Sequence, residues 1–331
     1  MVKGEDADVA LSPAARLQKA LQAHLGTGSE GADGKGPGVM LVPASYDALS
    51  AKLVEKAGFE AVFSAGFAAA ASRGMPDTGL ISFHEMLQAH DTVCEAVSPG
   101  YPVIADGDDG YGNAMNVQRT VKAFHKAGVA MVMLEDQVAP KQCGHTDGKQ
   151  VLSREESVNK IRAAADARDA LRRERRLPAN DPGILILART DARATHGLDE
   201  AIARCQAFLE AGADATFLEA PHSEEEMRQY CEQVDGIKMA NMLARGKTPR
   251  LTGRKLRSMG YTFAAYPFDV LLAAKEAVKA RLAEMHDQDA APEPLDAEAV
   301  EELWHLTGFR RYEQEEKNYA CKEAKRARLA Q

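Results

Sequence analysis

The chain has 331 residues, 45% hydrophobic and 27% charged, with a formal net charge of −8. Those values indicate a soluble globular protein and exclude an extended basic nucleic-acid surface. No apolar run approaches the roughly 18 residues that span a bilayer, which excludes a membrane partner.

The N-terminal stretch "MVKGEDADVA" lacks the apolar core of a secretory signal and the Arg/Ser bias of a transit peptide, so a cytoplasmic location is expected. Leu17, Leu21 and Leu25 recur four apart, which predicts a lead-in helix over 9–25. "GTGSEGADGKGPG" then closes an N-terminal helix-and-linker segment, 1–38. Eight short apolar runs follow, at 39–44, 60–66, 101–108, 130–136, 183–191, 215–220, 237–242 and 261–267. Segments with helical periodicity separate them, and "KAGF", "KAGV", "EAGA" and "SMGY" repeat one pattern, a glycine at a helix end shortly before a strand. Near-continuous apolar strands alternating with helices predict a parallel sheet buried on both faces. Eight such units predict an α/β fold of the (β/α)8 TIM-barrel type over 39–286. No G-x-G-x-x-G follows the first strand, against a dinucleotide fold. A Pro/Asp-rich connector leads into a C-terminal helical extension, 287–331, with helical stretches near 296–306 and 309–328.

Catalytic groups of such barrels come from the C-terminal strand ends. There the sequence places Ser64, then Asp106 and Asp108, Glu135 and Asp136, Arg189 with Thr190 and Asp191, Glu219, and Asn241. Clustered carboxylates repel unless a cation neutralises them, and hard oxygen ligands point to Mg2+ or Mn2+ over zinc. Asp106 or Asp108 is the direct ligand in this reading, with Glu135 acting through water. Arg189 either pairs bidentately with a substrate carboxylate or forms a salt bridge with Asp191 and Glu219.

Five cysteines lie far apart with no C-x-x-C pair, which predicts reduced thiols. Cys94, Cys205 and Cys231 sit in helical patterns and read as packing residues. Cys143 differs. It lies in "QVAPKQCGHTDGKQVL", 137–152, a long loop with Gly144 and Gly148 as hinges, the make-up of a lid. Lys141 and His145 flank the thiol and would lower its pKa, suiting a nucleophile or a general acid.

"DGDDGYG" (106–112), "EDQ" (135–137) with "KQCGH" (141–145), "ARTDA" (188–192) and "EA" (219–220) together resemble the isocitrate lyase and phosphoenolpyruvate mutase superfamily. "SRGMPDTG" (72–79) and "ANMLARGKTP" (240–249) extend the resemblance, which covers about 39–285. It implies a barrel with a Mg2+ site held by Asp106, Asp108 and Glu135, and a homotetramer, a dimer of dimers whose C-terminal helices swap between subunits. Ser64, Ala65 and Gly66 would cradle an α-oxo acid, and Arg189, Glu219 and Asn241 a second carboxylate-bearing part. Gly144 and Pro267 would also contact substrate. In the lyase branch the Lys-x-Cys-Gly-His loop supplies a thiol acid, here Cys143, with Lys141, His145 and Glu135 beside it.

The resemblance thus implies carbon–carbon cleavage of a 2-hydroxy di- or tricarboxylate such as 2-methylisocitrate or a 2-alkylmalate. Oxaloacetate hydrolysis and isocitrate cleavage are its alternatives, phosphonomutase chemistry and a non-catalytic paralogue more distant ones. Val62 stands where such lyases carry a tyrosine, and Ala65 replaces a glycine of the usual Ser-Gly-Gly. Ala265, with Phe217 and Pro267, marks the expected distal end, where a small residue leaves room for an alkyl group or packs in the core.

Overall fold

The computed structural model describes residues 11–26, 38–142, 148–287 and 296–319. The elements run α1 (Pro13–Gly26), β1 (Met40–Ser45), α2 (Ala48–Lys56), β2 (Val62–Ser64), α3 (Gly66–Ser72), α4 (Phe83–Ala96), β3 (Val103–Asp106) and α5 (Ala114–Lys126). Next come β4 (Met131–Glu135), α6 (Arg154–Glu174), β5 (Leu185–Thr190), α7 (Ala192–His196), α8 (Leu198–Glu210), β6 (Ala215–Leu218) and α9 (Glu224–Gln233). The order ends with β7 (Ile237–Asn241), α10 (Gly253–Met259), β8 (Phe263–Tyr266), α11 (Asp269–His286), α12 (Ala297–Leu306) and α13 (Phe309–Tyr319). All eight predicted strands form, and they close in sequence order into a parallel barrel.

Local chemistry fixes the element ends. Asp47, Ser82 and Asn113 cap α2, α4 and α5 in reciprocal capping boxes. The glycine of each repeated helix-end motif, Gly58, Gly128, Gly212 and Gly260, takes a positive φ that a side chain would strain.

Strand residues alternate between two cores. Val42, Phe63, Ile104, Met133, Leu187, Phe217 and Met239 fill the barrel interior. Ala105, Val132, Leu134, Ile186 and Ala188 face outward onto Val121, Phe124, Ile161 and Phe208 of the helices. The lead-in helix has a purpose the sequence did not assign. Leu17 and Leu21 are fully buried among the interior residues, Met40 and Phe263 included, and so close the N-terminal end of the barrel. Leu25, predicted on the same stripe, stays exposed.

The chain divides into two compact units, Met1–Ala273 and Ala274–Gln331, the division falling within α11. In the second unit, Trp304 stacks on Phe309 with centroids 5.5 Å apart, and Arg310 lies over Trp304. Neither α11, α12 nor α13 has a buried residue, and Val278, Leu282, Met285, Leu303 and Tyr312 are exposed. Among the described residues, no helix is long and apolar enough to cross a membrane.

Candidate active site

At the C-terminal mouth of the barrel, Asp106 is held by two backbone amides. Its Oδ2 accepts the Gly66 N–H at 3.0 Å and its Oδ1 the Asp108 N–H at 3.1 Å. A Cβ at position 66 would stand 2.8 Å from Oδ2, so this approach requires glycine. The Gly66 amide thus orients Asp106.

Lys141 reaches into the same group of acids. Its Nζ lies 2.7 Å from Asp77 and also meets Asp108. Burial lifts the Asp108 carboxyl to about 7, with Asp106 adding to the rise and Lys141 opposing it. Burial likewise raises Glu135 well above the usual range, while Asp108, Asp106, Glu135 and Asp77 keep the buried Lys141 protonated. The lysine expected to act on the neighbouring thiol therefore serves first as counter-charge to the carboxylates.

Arg189 is enclosed on three sides. Nη1 lies 3.1 Å from Glu135, Nε and Nη2 form a fork on Asp191 at 2.9 and 3.1 Å, and Nη2 lies 3.4 Å from Glu219. The salt-bridge reading of Arg189 thus holds in this state. A bidentate clamp on a substrate carboxylate requires Glu135 or Glu219 to give way, because the fork is already on Asp191. Asp191 also receives Lys149 Nζ at 2.8 Å. Behind it, Asp136 accepts from Thr190 Oγ1 (2.6 Å), Asp191 N (2.9 Å) and Arg204 (2.9 Å), so Asp136 and Thr190 brace the ends of β4 and β5.

The long loop after β4 starts as a short stem. Gln137 bridges to Val151, Val138 N donates to Gln150 O, and the Gln137 side chain holds both backbone groups of Gln142 at 2.9 Å. Cys143, Gly144 and His145 lie outside the described residues. The helical cysteines behave as predicted: Cys205 is buried, and burial pushes the thiols of Cys94 and Cys231 up to about 12.

A cavity opens beside these acids. Its lining combines polar residues, Asp77, Asp106, Arg189, Glu219 and Asn241, with apolar ones, Phe67, Phe217, Met239, Leu243, Pro267 and Phe268, and Arg189 lies over the Phe217 ring. Phe67 and Phe268 pack at 4.1 Å between centroids. Glu135 Oε1 and Asn241 Oδ1 are buried without a hydrogen-bond partner. Buried polar atoms of this kind are what a bound ion, water or substrate satisfies.

Of the predicted residues, Ala65, Asp106, Arg189, Glu219, Asn241 and Pro267 line this cavity, and Asp108, Glu135 and Lys141 stand behind its acidic residues. Ser64 does not line it. Its hydroxyl turns outward to His90, 2.8 Å away, because odd and even residues of β2 face opposite sides. Ala265 is a packing residue of the interior core, and Val62 packs among outward-facing valines. Strand-end logic missed Asp77, which follows α3, although it sits in the quoted "SRGMPDTG". It also missed Phe67 and Phe268, whose aromatic side chains carried no polar signal.

The metal reading needs one refinement. Among the described residues no three His, Cys, Asp or Glu side chains converge to enclose an ion. Asp106, Asp108 and Glu135 therefore do not form a closed cage. Among the described residues, six carboxylates (Asp77, Asp106, Asp108, Glu135, Asp191, Glu219) nevertheless surround Lys141, Lys149 and Arg189. One or two carboxylates with water completing the shell is the usual manner of Mg2+, so the donor set fits that ion.

The phosphoenolpyruvate phosphomutase family profile matches residues 34–286. The chain is 40% identical over 284 residues to 2,3-dimethylmalate lyase of Eubacterium barkeri, covering 85% of this chain and 94% of that one. The chain belongs to the phosphoenolpyruvate mutase and isocitrate lyase superfamily. It is also 36% identical to 2-methylisocitrate lyase of Bacillus subtilis over 285 residues, 86% of this chain and 90% of that one. Among solved structures, 2,3-dimethylmalate lyase superposes with a TM-score of 0.81 at 31% identity, over 94% of this chain and 96% of that one. Phosphonopyruvate hydrolase, solved with oxalate and Mg2+, superposes at 0.72 and 27% identity, over 93% of this chain and 99% of that one. The 2,3-dimethylmalate and 2-methylisocitrate lyases match the short lyase branch of the superfamily, and the protein is a carbon–carbon lyase.

Proposed function

We propose that this lyase cleaves a 2-hydroxy dicarboxylate bearing an alkyl substituent, a 2-alkylmalate-like substrate, to an α-oxo acid and a carboxylate, with Mg2+ or Mn2+ as cofactor. A tricarboxylate such as 2-methylisocitrate is the nearest other member of this class. The observation that carries the reading is a cavity that combines a backbone-fixed Asp106 with the apolar side chains of Phe67, Phe217, Leu243 and Phe268. Among the described lining residues Arg189 is the sole cation, already enclosed by acids, which disfavours a third carboxylate. Asp106 would hold the ion, with Asp77, Asp108 and Glu135 as the neighbouring carboxylates that would support it. When bound, the ion supplies electrostatic stabilisation for charge developing on the oxo-acid oxygens. Ala65 packs against the oxo-acid end, and Arg189, Glu219 and Asn241 orient the departing carboxylate. Cys143 donates the proton that completes that product, with His145 and Lys141 setting its charge state. The aromatic side chains and Pro267 exclude water.

The test is incubation with Mg2+ and 2-alkylmalates, 2-methylisocitrate, isocitrate, oxaloacetate or phosphonopyruvate, quantifying α-oxo acid and oxalate. Metal-dependent α-oxo acid from an alkylmalate at the highest kcat/KM is expected. Oxalate as the main product would replace the reading with oxaloacetate hydrolysis, and no turnover on any of them with a non-catalytic binder.

Self-association as a homotetramer is the accompanying proposal. It is supported by the exposed apolar residues of α11–α13 and by an uncovered groove of Leu41, Leu53, Phe59 and Val270 on the barrel unit. Light scattering on the purified protein tests it, with a monomer the result that refutes it.

A further inference from the structure

His90 is fully buried on α4, behind the ends of β2 and β3, with its ring edge-on to Phe124 at 4.8 Å. Its Nε2 lies 2.8 Å from the Asp106 carbonyl and its Nδ1 2.8 Å from Ser64 Oγ. A carbonyl only accepts, so Nε2 carries the hydrogen. With that hydrogen on Nε2, Nδ1 of the neutral imidazole accepts from the Ser64 hydroxyl. One directed chain results, from the Ser64 O–H through the imidazole to the Asp106 C=O.

The topology explains why a side chain is needed there. β2 ends at Ser64, paired with Ala105, and the chain then turns into α3. The next carbonyl of β3, that of Asp106, extends past its neighbouring strand, and His90 supplies the donor that the strand does not. Two residues beyond Ser64, the Gly66 amide holds Asp106 Oδ2. The imidazole therefore joins the two segments whose separation sets the direction of the Asp106 carboxylate. A leucine here would pack on Phe124 but leave the Ser64 hydroxyl and the Asp106 carbonyl without their shared partner.

We propose that His90 is a positioning residue. By tying the Ser64 hydroxyl to the Asp106 carbonyl it fixes the Asp106 carboxylate in its metal-holding orientation, and so sets metal affinity and kcat. This role rests on the reading of Asp106 as the metal-holding carboxylate.

The experiment is calorimetric titration of the full-length protein with MgCl2, alongside thermal melts and steady-state kinetics, for wild type, His90→Leu, His90→Gln, His90→Asn and Ser64→Ala. Outer partners of this kind change metal affinity or activity by about 10–100-fold. His90→Leu should weaken Mg2+ binding by about tenfold or more and lower kcat comparably, with substrate KM within about threefold. Gln, which keeps a donor near the Nε2 position, should recover most of both, and Asn, which stops near the Nδ1 position, should not. Ser64→Ala should fall between. Unchanged Mg2+ affinity in His90→Leu with only a lowered melting temperature would make His90 a packing residue and overturn the proposal. If the leucine variant does not fold, equal Mg2+ affinity of the Gln and Asn variants at equal melting temperature overturns it instead. Wild-type protein that binds no Mg2+ overturns the reading of Asp106 itself, an outcome distinct from wild-type binding that His90 variants leave unmoved.

Discussion

The acidic and the apolar residues that line the cavity are held by different physics. In the acidic set, each side chain is held by directed bonds: Asp106 by two backbone amides, Arg189 by three carboxylates, Asp191 by Arg189 and Lys149. The apolar lining residues Phe67, Phe268, Leu243 and Met239 are held by packing. Directed bonds fix charge to within tenths of an ångström, which electrostatic catalysis needs. Packing fixes only shape and polarity, which is enough to choose a substituent. Under the proposed function, the acidic residues carry the reaction step and the apolar residues choose the substituent.

That division can be broken by substitution, starting where the effect is largest. Asp106→Asn should remove detectable Mg2+ binding and lower kcat by about 10³-fold or more, read by calorimetry and initial rates, since it removes both a charge and a fixed ligand. Comparable activity in that variant would detach chemistry from the acidic residues. Cys143→Ser should lower kcat by about 10²–10³-fold while leaving Mg2+ titration unchanged, as loss of a general acid predicts; full turnover would remove the thiol from the reaction.

A smaller effect concerns pH. His90 has its folded pKa lowered from 6.5 to about 4, so the unfolded chain binds the proton first as pH falls. Its contribution is fully present above pH 6.5 and is lost between there and pH 4, about 3 kcal/mol in all. Urea unfolding at pH 7 and pH 4.5 should show wild type losing more stability than His90→Leu; parallel losses would contradict a buried neutral imidazole. Smallest is Phe268→Ala, which should change kcat/KM ratios between short and long alkyl substituents by about tenfold, favouring the longer, with Mg2+ affinity unaltered. If Mg2+ affinity moved with it, the two sets would not be separable.

Much of the molecule was legible in the chain itself. Eight apolar runs with glycine-ended helices between them specified the barrel, because strand and helix periodicities and positive-φ positions are local properties. Asp106, Arg189, Glu219 and Asn241 were found by the rule that strand ends meet at one mouth. Asp77 was not, because it comes from a loop after a helix, and only the folding of that loop brings it to Lys141. Ser64 was assigned to the site by the same strand-end rule, but the pleat of β2 turned its side chain to the helix layer.

By itself, then, the order of residues determined the barrel, the acidic character of its mouth and the family to which the chain belongs. Only the tertiary structure decided which face each strand-end side chain takes. It alone showed that Gly66 serves Asp106 directly, that Lys141 balances acids, and that His90 links two strands. Those facts depend on distances between residues 16 to 64 positions apart, from His90–Asp106 to Asp77–Lys141, and no local pattern encodes such distances.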